Sequence, residues 1–180
     1  MNIPPSERLN YQLMTENDAD LLLQLDQDPQ VMKYINGGNL TTRTELTNVY
    51  LPRMKSYTNQ SKGWGLWKVT ISQTSEFIGW VLVRPMDYFS ECPQFNNIEL
   101  GWRFARQSWG KGYATEAAVA IKNALIRTGG VHKLLAIAVE ENIASINIMS
   151  KLGMKYVKTD IHEDPLGDME VAFYELEISR

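Results

Sequence analysis

The chain has 180 residues, 44% of them hydrophobic and 22% charged, with a net charge of −3 from 18 basic and 21 acidic side chains. That size and composition suit one compact domain over residues 1–180 with a sizeable core. They argue against a nucleic-acid binder, which would show a basic stripe, and against a membrane span, which needs a run of about 18 apolar residues.

The single cysteine, Cys92, rules out an internal disulfide, and the opening MNIPPSERLN lacks the apolar segment of a secretory signal. A reducing, cytoplasmic setting is the expectation. His132 and His162 have no partners at metal-ligand spacing, so no metal site is expected.

Leu9–Met14 reads as a first strand. Thr15 and Asp18 form an N-cap pair ahead of the helical stripe Ala19, Leu22, Leu23. Asp28-Pro29 starts a second helix with proline at its first position; Val31, Met32 and Ile35 line its apolar face and Gly37-Gly38 stop it. Thr42–Glu45 has capping-box spacing, and Leu46, Val49, Tyr50 and Met54 continue the helical period. Trp64–Ile71 and Phe77–Arg84 alternate as the strands of a hairpin about Ser72–Glu76. Pro85–Asn96 reads as an irregular loop, within which Asp87, Tyr88, Phe89 and Glu91 could meet a cationic amine.

Ile98–Ala105 is a strand and Ala114–Ile126 a helix with Ala114, Ala117, Ala118, Ile121 and Leu125 on one face. Leu134–Val139 is uniformly apolar, as a strand buried on both faces would be. Ala144–Leu152 is a short helix closed by Gly153, and Tyr156–Thr159 and Val171–Ile178 are the last strands. The strand–helix–strand unit from Ile98 to Val139 implies one parallel crossover in an otherwise antiparallel sheet of six to seven strands, an α+β fold flanked by helices.

The most informative stretch is Asn97–Arg127. Gly110 and Gly112 lie between a strand and a long helix, so the backbone can approach an anion closely. The N–H groups of about Trp109 to Ala114 are expected to point at it, helped by the helix dipole and by Lys111. The spacing fits neither a P-loop, which needs Lys-Ser/Thr after its second glycine, nor a dinucleotide fingerprint, since Thr115 stands where Gly or Ala is required.

Gln107-x-x-Gly110-x-Gly112, preceded by ELGWRF and followed some 25 residues later by VEENIASINIMSKLGM, resembles the acyl-CoA pyrophosphate loop and flanking segments of the GNAT N-acetyltransferase superfamily. The opening ERLNYQLMTENDADLLLQLDQDPQVMKYI is similar to the branch containing the ribosomal-protein N-terminal acetyltransferases. Departures are Gln107 for Arg, Met154 for an aromatic, and the tract Ala105-Arg106.

The resemblance implies a GNAT fold and transfer of an acetyl group from acetyl-CoA to an amine by direct attack. The amine would be a protein N-terminal α-amine, a polyamine, an amino sugar or an amino-acid derivative, and the protein a monomer or homodimer. It assigns Glu99 as the base and Ser145 as the acid that protonates the thiolate. It assigns CoA contacts to Trp102, Phe104, Gln107, Trp109, Gly110, Lys111, Gly112, Tyr113, Ala114, Thr115 and Asn142.

Asn142 also reads as a helix N-cap, and Glu99 also as a salt-bridged strand carboxylate. An oxyanion donor is expected on Leu100–Trp102, splayed by a bulge. Trp80 and Trp102 are candidates for the acceptor cleft wall. The alternatives are a CoA-binding module or sensor without turnover, and a structural dimerisation protein that keeps only the fold.

Overall fold

The computed structural model describes residues 1–178. Seven strands form one sheet: β1 (Leu9–Leu13), β2 (Gly65–Ile71), β3 (Phe77–Met86), β4 (Gln94–Phe104), β5 (Lys133–Ala138), β6 (Lys155–His162) and β7 (Met169–Glu177). Their spatial order is β1-β2-β3-β4-β5-β7-β6; β4 and β5 run parallel and every other neighbouring pair is antiparallel. This is the mixed α+β sheet expected from the sequence.

Local signals set the helices. Thr15 makes a capping box with Asp18 ahead of α1 (Ala19–Leu25), and Asp28 caps α2 (Pro29–Asn36), which ends on Gly37 in the left-handed region. Thr42 and Glu45 make a second capping box at α3 (Arg43–Glu45), which runs through a π-turn, Leu46–Tyr50, into α4 (Leu51–Tyr57). Pro52 accounts for the widened turn, because it has no N–H and its ring crowds the carbonyl four residues back. The long α5 (Tyr113–Thr128) bridges β4 to β5, and α6 (Ile143–Lys151) follows β5.

Strand alternation divides the buried side chains between the two faces of the sheet. On one face, Val81, Val83, Ile98, Leu100 and Leu134 pack against Ala117, Ile121 and Leu125 of α5 and Met149 of α6. On the other, Leu66 and Leu82 pack against Leu22, Leu46, Leu51 and Met54 of the first helices. Each aliphatic side chain withdrawn from water in this way contributes about 1.5–3 kcal/mol.

Two expectations about the strands are corrected. Pro85–Asn96 is not wholly a loop: β3 continues to Met86 and β4 begins at Gln94. Pro85 pairs with Ile98, and the register slips immediately after it, as a residue that cannot donate to the ladder favours. The bulge expected within Leu100–Trp102 is also absent, since the β3–β4 register is unbroken from Gly79↔Phe104 to Pro85↔Ile98.

Candidate active site

The sheet opens between its two parallel strands. β4 pairs with β5 only at Asn97↔Lys133, Ile98↔Leu134 and Glu99↔Leu135, while β5 stays with β7 as far as Ala138↔Ala172. From Leu100 onward, the side of β4 away from β3 therefore faces no strand, and backbone groups there are left for another partner. The departure of β5, not a bulge in β4, creates the gap.

Just beyond this gap, the chain turns through a short 3-10 segment, Arg106–Ser108, into α5. Gly110 and Gly112 have φ of +72° and +79°, a region that side-chain-bearing residues avoid. α5 begins at Tyr113 with Gly112 as its N-cap and no side-chain cap, whereas α2 and α6 are capped by Asp28 and Asn142. The N–H groups of Tyr113, Ala114 and Thr115 lie in the first turn and have no intrahelical acceptor; that of Glu116 is the first taken, by Gly112 O at 3.0 Å. A Cβ at Gly110 would meet nothing within 4 Å, so the approach is open.

Trp109 departs from expectation. Its N–H donates to Arg106 O at 3.1 Å and its exposed indole donates to Phe104 O at 2.7 Å, so the free donor run starts at Gly110. Gln107 and Lys111 are exposed, and Phe104 is buried under α5.

Arg8 gave no signal in the sequence. Its Nη1 donates to Lys111 O at 2.9 Å, its Nε to Glu116 Oε2 at 2.7 Å, and its guanidinium lies 4.6 Å from the Tyr113 ring centroid. Glu116 also accepts from Ser6 Oγ and from the Arg8 backbone N–H. Burial alone would raise the Glu116 pKa, but these hydrogen bonds and the Arg8 charge outweigh it and hold it below the usual value of 4.5. A group whose folded-state pKa is depressed stabilises above its unfolded pKa and loses that contribution as pH falls through the folded one. Glu116→Gln is therefore expected to lower the thermal midpoint at pH 7 and to flatten its decline below about pH 4.5. Midpoints measured between pH 3 and 7 check this; identical profiles for the two proteins would contradict it.

Across the gap, Trp102 Nε1 donates to Ser145 Oγ at 3.1 Å. Asn142 Oδ1 accepts from Ser145 N at 3.2 Å, so Asn142 is the N-cap of α6 and fixes the turn that carries Ser145. Trp102 packs on the α5 face, whereas Trp80 lies on the opposite face beside Leu82, so the two tryptophans do not share one wall.

Glu99 lies on the face of the first helices. It is 5% exposed, and its Oε2 accepts from Arg84 Nε at 2.7 Å. Burial works to lower the Arg84 pKa, but the Glu99 charge and hydrogen bond, with Tyr57 and Asp164, outweigh it and raise it. Burial pushes the neighbouring Tyr57 up to about 12. The loop at Tyr88 and Phe89 folds inward: Tyr88 donates to Ser56 O at 2.6 Å, and the guanidinium of Arg53 lies 3.7 Å from the Phe89 ring centroid. The cation the Phe89 ring meets is thus the protein's own, and Arg53 in turn holds both oxygens of Asp164 at 3.0 and 2.7 Å. On the same face, Arg103 pairs with Asp26, which also accepts from Thr41. Among the described residues, no group of three or more His, Cys, Asp or Glu could hold a metal ion, and no helix is long and apolar enough to cross a membrane.

Residues 8–155 match the family described as the acetyltransferase (GNAT) domain. The chain belongs to the GNAT acetyltransferase family. It is 33% identical over 156 residues to YkkB of Bacillus subtilis (strain 168), covering 86% of each chain. Its fold is similar to that of a GNAT-family acetyltransferase from Bacillus anthracis, at TM-score 0.75 and 24% identity over 98% of each chain. It is equally similar, at TM-score 0.75 and 14% identity over 98% of this chain and 97% of the other, to RimL, the ribosomal L7/L12 α-N-protein acetyltransferase, solved with coenzyme A.

This GNAT chain is thus an acyl-CoA-dependent N-acetyltransferase by family. The fit is physical as well as familial. The uncapped α5 start, the two glycines in left-handed conformation and the open space over Gly110 suit an anion as large as a diphosphate.

Proposed function

We propose that the whole chain acts as one N-acetyltransferase domain that moves the acetyl group of acetyl-CoA onto a primary amine in the gap between β4 and β5. The observation that carries this reading is the position of the uncapped α5 start directly beyond that gap. The N–H groups of residues 110–115 would hold the diphosphate, with Gln107, Trp109 and Lys111 around it. The pantetheine arm would lie along the free side of β4 past Trp102 and Phe104 toward Asn142.

Bound acetyl-CoA supplies an activated carbonyl. Glu99, directly or through water, accepts the proton that the amine nitrogen must lose, and Arg84 fixes the rotamer of its carboxylate. Ser145 Oγ returns a proton to the departing sulfur. A backbone N–H on the unpaired side of β4 would stabilise charge on the carbonyl oxygen.

We assign the acceptor as a single amine, ahead of a polycation, and favour a protein N-terminal α-amine as in the ribosomal-protein acetyltransferase branch. Two considerations support this. The acids that line this face are committed to the protein's own cations: Glu99 to Arg84, Asp26 to Arg103, Asp164 to Arg53 and Asp18 to Lys68. An α-amine, with pKa about 7.7–8.0, is also far more often neutral at pH 7 than a lysine ammonium at about 10.4.

The test is release of free CoA with a panel of N-terminal peptides, single small amines, spermidine and an aminoglycoside. Peptides or small mono-amines are expected to turn over fastest. Turnover confined to the polycations would overturn the acceptor assignment, and acetyl-CoA binding with no transfer to any amine would favour a sensor.

A further inference from the structure

Among the described residues, one side-chain hydrogen bond spans the β4–β5 gap, and in it Trp102 Nε1 donates to Ser145 Oγ. Four hydroxyls in or at the end of helices spend their hydrogen on the backbone of the preceding turn: Ser56 on Arg53 O, Thr58 on Met54 O, Thr128 on Ala124 O and Ser150 on Ile146 O. Ser150 belongs to the same helix as Ser145. Ser145 Oγ instead accepts. The other indoles with assigned partners, Trp67 and Trp109, donate to backbone carbonyls, at Gly63 and Phe104. Trp102 donates to a hydroxyl 43 residues away.

A hydroxyl has one hydrogen and two lone pairs and otherwise rotates freely. When an indole N–H occupies a lone pair, the hydroxyl cannot turn that side outward, and its own hydrogen is directed elsewhere. Ser145 is held twice: Asn142 fixes its backbone at 3.2 Å, and Trp102 fixes its side chain at 3.1 Å.

The geometry points to Trp102 as a positioning residue for acetyl transfer. It orients the Ser145 hydroxyl so that its hydrogen faces the departing sulfur in the gap. This rests on the assignment of Ser145 as the proton donor. In the transfer, the acceptor nitrogen bonds to the acetyl carbon, and the C–S bond breaks with its electron pair going to sulfur. Ser145 Oγ gives its hydrogen to that sulfur, and the serine oxygen regains through solvent the proton that Glu99 took from the acceptor nitrogen. Trp102 forms and breaks no covalent bond.

The test is a double-mutant cycle on the full chain with Trp102→Phe and Ser145→Ala, reading kcat, KM for acetyl-CoA and the thermal midpoint. Trp102→Phe keeps an aromatic ring, smaller than the indole, and removes the N–H. It is expected to lower kcat roughly tenfold to a hundredfold, less than the roughly 10²–10⁴-fold that the proton donor itself supplies, with KM for acetyl-CoA changed less than about twofold. In the Ser145→Ala background, the same change is expected to cost nothing further.

Equal losses from Trp102→Phe in both backgrounds, or a loss confined to KM, would overturn the proposal and leave Trp102 as a packing or cofactor contact. Full activity of Ser145→Ala would overturn the proton-donor assignment itself, a failure distinct from that of Trp102. If Trp102→Phe does not fold, the cycle is run with Trp102→Leu, which also has no side-chain donor, and the same outcomes decide.

Discussion

Glu99→Gln is expected to lower kcat roughly 10²–10³-fold at saturating acetyl-CoA, within the roughly 10²–10⁴-fold that a general base supplies. The substitution does more than remove a proton acceptor. Glu99 and Arg84 have side chains 6% and 14% exposed, so the variant leaves a guanidinium buried without its counter-charge. Breaking such a pair from one side costs about 3–5 kcal/mol, which for a chain of this size lowers the thermal midpoint by roughly 10 °C.

The two effects separate in the double variant Glu99→Gln/Arg84→Met. Removing the orphaned charge is expected to restore most of the stability and none of the rate. Steady-state kinetics and thermal unfolding on the two single variants and the double variant check this. A Glu99→Gln protein with the parent's kcat would reduce Glu99 to a structural anchor for Arg84.

Gly112→Glu is expected to raise the Kd for acetyl-CoA at least about 100-fold, or ~2.7 kcal/mol. Gly112 has φ of +79°, so any side chain there adds about 1–2 kcal/mol of backbone strain. A Cβ would stand 3.5 Å from Arg8 Nη2. The glutamate carboxylate would lie at the helix start, beside Arg8, where the forces that attract a diphosphate attract it too. That placement compensates part of the strain while blocking the site. Gly112→Ala is the control, carrying the strain without the charge, and is expected to bind within about tenfold of the parent. Calorimetric titration with acetyl-CoA reads both; equal weakening by Ala and Glu would mean that strain alone is being measured.

What the sequence made legible was local. Thr15–Asp18, Thr42–Glu45, Pro29 and Gly37 act through neighbours a few residues away, and the structure forms those caps and stops. The two glycines before α5 were legible for the same reason, since their conformation and the bare helix start follow from the residue type. Contacts across the chain were not. Arg8 meets Glu116 over a separation of 108 residues and Arg53 meets Asp164 over 111; no periodicity or spacing announces either.

The same limit explains the misreadings. A bulge was expected where β4 must expose backbone, but β5 turns away with β7 and does that work, which depends on the last strands of the chain. Tyr88 and Phe89 read as an open aromatic loop because nothing nearby in sequence shows that Arg53 and Ser56 would hold them down.

The most direct test of the central claim, that acetyl-CoA binds with its diphosphate on the start of α5, is thermal unfolding of the parent protein and Gly112→Glu with and without acetyl-CoA. At ~100 times the Kd, ligand adds about 2.7 kcal/mol of stability, a rise of roughly 5–10 °C. The account predicts that rise in the parent and at most about 1–2 °C in Gly112→Glu, whose Kd would be about 100-fold higher. A well-folded parent that does not shift, or a variant that shifts as far as the parent, would contradict it.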